Sequence, residues 1–108
     1  MINYDGRRFC PAEADAQGRT ALYRQEGDLL WGTFSGGRAR RGSLTGVCAP
    51  DGSLDFAYSM VLDDGEVVSG HCRSTPELRE DGGIDLREEW ERFGAHAAKG
   101  VSYLKEVK

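Results

Sequence analysis

The chain is poor in the residues that most readily disclose a chemistry. It has two histidines, His71 and His96, and three cysteines, Cys10, Cys48 and Cys72, with no Cys-x-x-Cys pair. An odd, widely spaced set excludes a disulfide framework and a sulfur-rich zinc site. The thiols are therefore expected reduced and packed, as free cysteines usually are, and no metal is expected. No apolar run approaches the roughly 18 residues of a membrane span, so no membrane partner is expected. Residues 1–5 contain neither a basic region nor an apolar stretch, so no secretory signal is read and a cytoplasmic protein is expected. Fourteen Lys and Arg against eighteen Asp and Glu give a net charge of -4, which argues against nucleic acid as a partner.

Enzyme signatures are equally scarce. There is no Gly-x-Ser-x-Gly elbow, Walker loop or paired metal-binding histidines. Ser35-Gly36-Gly37-Arg38, with Arg40 and Arg41, resembles an anion loop, but a strand pattern follows where a helix N-terminus is needed. No catalytic residue and no cofactor is assigned, and the reading leans away from an enzyme.

What is abundant is glycine. Its 15 copies include Asp5-Gly6, Glu26-Gly27, Gly36-Gly37, Asp51-Gly52, Asp64-Gly65 and Asp81-Gly82-Gly83. These pairs supply the positive φ angles of tight hairpins, and the intervals between them alternate in polarity. With 108 residues and 39% hydrophobic side chains, one domain over residues 1–108 with one modest core is expected. The fold class is all-β, an antiparallel up-and-down meander barrel of seven or eight strands, which removes exposed edges. A twisted β-sandwich is the alternative. Residues 101–107 are the natural closing strand against residues 2–9.

Turn lengths then predict register. With Asp64-Gly65 as a two-residue turn, Tyr58 faces His71 and Phe56 faces Arg73. With Pro50-Asp51-Gly52 as a three-residue loop, Cys48 faces Leu54, Gly46 faces Phe56, Leu44 faces Tyr58 and Gly42 faces Met60. Gly36-Gly37 as a two-residue turn sets Trp31 opposite Gly42 and Thr33 opposite Arg40. In residues 83–93 the inner side carries Ile84, Leu86, Glu88 and Trp90. A bulge at Thr75-Pro76, where proline cannot donate a ladder bond, lets Arg73 and Glu88 both face inward.

The predicted inner face thus carries Arg40, Tyr58, His71, Arg73 and Glu88 among its apolar residues, with Trp31 and Trp90 as flat walls. Buried charge is costly unless paired. The positive surplus suits a small anionic metabolite: Arg73 anchors it, Glu88 orients it, and Trp31, Tyr58 and Trp90 line the pocket. Alternatively, Arg73 and Glu88 pair inside a filled barrel. A third possibility is an interaction module acting through its outer surface, with Phe34, Phe93 and the Arg38/Arg41 rim as anchors. Oligomeric state is not legible.

Residues 1–9, Tyr23 with Gln25-Glu26-Gly27, residues 31–37 and 51–55, Cys72-Arg73-Ser74-Thr75-Pro76-Glu77 and residues 86–90 together resemble a small bacterial family of compact β-barrels. Its members often carry the label N-acetylglutamate synthase, which implies acetyl transfer from acetyl-CoA. Arg24-Gln25-Glu26-Gly27 begins the pyrophosphate-gripping pattern of such enzymes, and Asp28-Leu29 departs from it. In strand rhythm the chain is similar to the streptavidin and lipocalin barrels of the calycin type, a resemblance that implies small-molecule binding inside.

Overall fold

A computed structural model describes residues 2–12 and 19–107; Met1 lies outside them. Eight strands follow one another in the chain: β1 (Arg8–Pro11), β2 (Thr20–Glu26), β3 (Leu29–Gly36), β4 (Ala39–Cys48), β5 (Leu54–Leu62), β6 (Val67–Leu78), β7 (Ile84–Arg92) and β8 (Ala98–Val107). Each pairs antiparallel with its neighbours in sequence, and β8 pairs with β1, so the sheet closes into an up-and-down barrel. The described residues contain no α-helix, only a 3₁₀ turn at Gly94–His96.

One turn device recurs three times. In Pro50-Asp51-Gly52, Asp63-Asp64-Gly65 and Glu80-Asp81-Gly82, the glycine sits at φ +85° to +89°. The strands close on Ala49 with Ser53, Leu62 with Glu66 and Arg79 with Gly83, each at N···O 2.8 Å. The aspartate carboxylate accepts the N–H two residues on, at 2.8–3.0 Å. This is a type I turn closed by a left-handed glycine, three residues long every time.

That shared length corrects one of the predicted registers, and a displaced turn corrects another. The β4–β5 pairing is as expected, Cys48 with Leu54 through Gly42 with Met60. The β5–β6 loop has three residues rather than two, so Phe56 faces Cys72 and Tyr58 faces Gly70. A one-residue slip reverses every side chain, and Val68, Gly70, Cys72 and Ser74 point inward in place of Ser69, His71 and Arg73. The β3–β4 turn falls at Gly37-Arg38, with Gly36 opposite Ala39, so Phe34 rather than Trp31 lies opposite Gly42. No bulge occurs at Thr75-Pro76: β6 and β7 keep one register from Gly70 with Arg92 to Leu78 with Ile84.

Inside the barrel, aromatic rings sit directly opposite glycines: Tyr23 with Gly32, Phe34 with Gly42, Phe56 with Gly46, Tyr58 with Gly70 and Trp90 with Gly100. At Gly42 a Cβ would come within 2.2 Å of the Phe34 ring, and at Gly70 within 2.5 Å of Tyr58. A glycine leaves the space into which the neighbouring ring folds down.

The two ends differ. At one end the segment before β1 turns into the barrel, where Tyr4, Phe9 and Tyr23 are buried as a cluster with ring centroids 4.8–6.3 Å apart. The Tyr4 hydroxyl donates to the Gly52 carbonyl at 2.6 Å. Leu30, Leu54, Ile84 and Leu86 complete this floor. Arg7 ties the segment to β8 through Glu106, at 2.9 and 3.1 Å. The opposite end, bounded by the β3–β4 and β5–β6 turns, is open.

Candidate functional site

Above the aromatic floor lies a cavity of about 440 Å³ that opens at the unplugged end. Phe9, Tyr23, Leu44 and Phe56 form its base, while Phe34, Tyr58, Met60, Leu62, Trp90 and Leu104 form its walls. Arg19, Arg38 and Arg92 stand at its mouth. Its size falls in the range of small-molecule sites, and its lining is largely apolar with few polar groups, as such sites usually are.

β7 sets the depth scale. Alternate residues face inward, so Leu86, Glu88, Trp90 and Arg92 climb from the floor to the mouth in steps of about 7 Å. Opposite them on β6, Ser74 faces Glu88 and Cys72 faces Trp90. The buried Ser74 hydroxyl donates to Glu88 Oε2 at 3.1 Å, and the Cys72 thiol lies 3.5 Å from the same oxygen. Both contacts end on Oε2, which leaves Oε1 to the cavity.

Among the described residues no cation contributes to the Glu88 shift. Desolvation pushes its carboxyl above the usual range, and the Ser74 and Cys72 hydrogen bonds only partly oppose that. Burial also pushes the Cys72 thiol and the Tyr23 hydroxyl up, with the Glu88 charge adding to both. Cys72 is therefore a neutral thiol at neutral pH, not a nucleophile in waiting. Higher up, the Tyr58 hydroxyl reaches the Glu91 carbonyl at 3.4 Å. The Arg92 guanidinium carbon sits 5.4 Å from the Trp90 ring centroid, within cation–π range.

Of the sequence-predicted residues, the barrel brings Glu88, Tyr58 and Trp90 together around the cavity. The other four lie elsewhere. Arg73 and His71 project outward from β6, where His71 Nε2 meets Asp55 Oδ1 at 2.5 Å and Arg73 Nε stands 3.7 Å from Asp55 Oδ2. Trp31 is on the outer face of β3, 36% exposed. Arg40 is exposed at the β4 bulge, where register shifts between Ala39 and Arg41. The expected inner Arg73–Glu88 partnership is thus replaced by Glu88 with Ser74 and Cys72.

Phe34, expected outside, lines the cavity, whereas Phe93 is exposed as expected. Arg38 keeps its rim position, ion-paired to Asp63 at 3.3 Å and Asp64 at 3.5 Å. All three cysteines are free and buried. Arg24 and Gln25 bind the segment before β1: the Arg24 guanidinium and Gln25 N–H donate to Asp5 Oδ1, and Gln25 Oε1 accepts from Tyr4 N–H. Sequence reasoning missed Cys72, Ser74, Phe34 and Arg92. The usable signal was the shared x-Asp-Gly loop, which places Cys72 and Ser74 inward once one loop length is applied throughout.

A closed eight-stranded meander with a plugged floor and an open, aromatic-walled interior matches the family of avidin-like proteins over residues 2–107. The chain belongs to that family. No curated protein and no solved structure matches it. In this avidin-like barrel no helix among the described residues is long and apolar enough to cross a membrane.

Proposed function

We propose that this avidin-like protein binds a small molecule inside its barrel. The observation that carries the reading is the open cavity of about 440 Å³, floored and walled by aromatic rings. The expected anionic group of the ligand is moved from Arg73 to the mouth, where Arg92 offers a guanidinium fork to a carboxylate or phosphate. Trp90, Tyr58 and Phe34 clasp the body of the ligand. A cytoplasmic metabolite is the proposed source, in keeping with three free thiols.

A thermal-shift screen against small organic acids, with Arg92→Ala and Arg73→Ala in parallel, tests this. Ligand at about 100 times its Kd adds roughly 2.7 kcal/mol, a rise on the order of 10 °C at this chain length. The rise is expected to shrink in Arg92→Ala and to persist in Arg73→Ala. A stabilising acid that is indifferent to Arg92→Ala and leaves Trp90 fluorescence unchanged places binding outside the barrel and ends this reading.

The outer surface supports a second reading, as an interaction module. Leu29 and Val47 are cross-strand partners, 48% and 49% exposed, and Trp31 lies two residues further along the same face. These residues replace Phe34 as the apolar anchors of that reading.

A further inference from the structure

We propose that the inner end of the cavity recognises a cationic nitrogen, an ammonium or amidinium head, held on Glu88 Oε1 with Trp90 and Tyr58 above it. This rests on the barrel-interior reading and adds the class of ligand. Among the described cavity-lining residues Glu88 is the one carboxylate, and Cys72, Tyr23 and Tyr58 are the ionisable groups that feel its charge. All three are neutral near pH 7 because burial raises each. The inward-facing cation on the same strand is Arg92, four residues away, or about 13 Å along β7, with its guanidinium carbon 5.4 Å from the Trp90 ring centroid.

A buried carboxylate without a cation is either neutralised or paired by what enters. Ser74 and Cys72 occupy only Oε2, so the second oxygen presents its lone pairs to the cavity. A neutral N–H donor satisfies those lone pairs without offsetting the charge, whereas a cation does both. Aromatic faces add to this, since ring quadrupoles attract a desolvated cation. Together with the guanidinium groups at the mouth, Glu88 makes the cavity bipolar: negative at depth, positive at the rim. Its ligand is accordingly positive at the inner end, apolar in the middle, and open to an acid at the outer end.

The test uses three probes that share one aryl-propyl body: 3-phenylpropylamine, 3-phenylpropan-1-ol and 3-phenylpropanoate. Binding is read from Trp90 fluorescence in a Trp31→Phe background, which silences the outer tryptophan. The amine is expected to bind at least tenfold more tightly than the alcohol. Glu88→Gln is expected to abolish that preference, the amine's affinity falling to that of the alcohol. In the Trp31→Phe protein with native Glu88, carbon-detected NMR is expected to show the Glu88 carboxyl titrating at lower pH once the amine is bound.

If the alcohol or the acid binds while the amine shows no preference, the cationic head is wrong and the barrel-interior reading stands. If the amine preference survives Glu88→Gln, or the Glu88 titration does not move, Glu88 is not its partner and the inference fails. If none of the three probes binds, both readings fall together.

Discussion

Glu88 is a carboxylate whose surroundings favour its neutral form, and this has a consequence for stability. Its pKa is raised in the folded state, chiefly by desolvation. A raised acid stabilises the fold below the unfolded pKa, and that contribution is lost as pH rises through the folded value. Glu88→Gln removes the charge and keeps an acceptor for Ser74. The variant is expected to match the parent near pH 4 and to exceed it at pH 8 by on the order of 2 kcal/mol. Urea denaturation at the two pH values measures the difference; a variant less stable than the parent at pH 8 would show that the ionised carboxylate is itself stabilising. His71 and Arg73 had the better chemical claim to a site on residue type alone. Their pairing with Asp55 makes them an outer-face charge cluster instead.

At the scale of the element, two glycines separate two physical reasons for conservative design. Gly65 has φ +88° and open space around its missing Cβ, so Gly65→Ala costs only backbone strain, about 1–2 kcal/mol. Gly46 lies within strand β4, where a Cβ would come 2.0 Å from the Asp55 carbonyl and 2.5 Å from Phe56 Cα. Both obstacles are backbone, so the strands must part, and Gly46→Ala is expected to cost about 3 kcal/mol or more. Gly65→Asn, which tolerates the left-handed region, is expected to recover part of the Gly65→Ala loss. Nothing of the kind helps at Gly46. Chemical denaturation of the three variants gives the ranking, and a Gly46→Ala protein as stable as Gly65→Ala would contradict the close strand contact.

For the molecule as a whole, closure is uneven. β1 is only four residues long and meets β2 through two paired residues, Arg8 with Leu22 and Phe9 with Ala21. By contrast, β4 to β7 are long strands with long paired stretches. Opening the barrel at the β1–β2 seam therefore breaks the fewest ladder bonds. Native-state hydrogen exchange is expected to show β1 and β2 amides exchanging through sub-global opening, while β5 and β6 amides exchange only on global unfolding. Equal protection around the barrel would mean that the contacts of Asp5 with Arg24 and Gln25, and of Tyr4 with Gln25, seal the seam as firmly as a full ladder.

The sequence by itself determined the all-β meander, because Asp-Gly turns and alternating polarity are local properties, readable within ten residues. It also determined that Glu88 and Trp90 share a face with Ile84 and Leu86, since period-two alternation along a single strand needs no partner. The aromatic–glycine complement between β4 and β5 was legible for the same reason once the Pro50-Asp51-Gly52 loop length was right. Only the tertiary structure decided which side of β6 and β3 looks inward. That choice turns on single residues: a three-residue loop at Asp63-Asp64-Gly65 sends Cys72 and Ser74 inside and Arg73 outside. A turn one position later at Gly37-Arg38, with its bulge, exchanges Phe34 for Trp31. The cavity is also tertiary, because its depth depends on Tyr4 folding in beneath Tyr23, a contact between segments that no local pattern encodes.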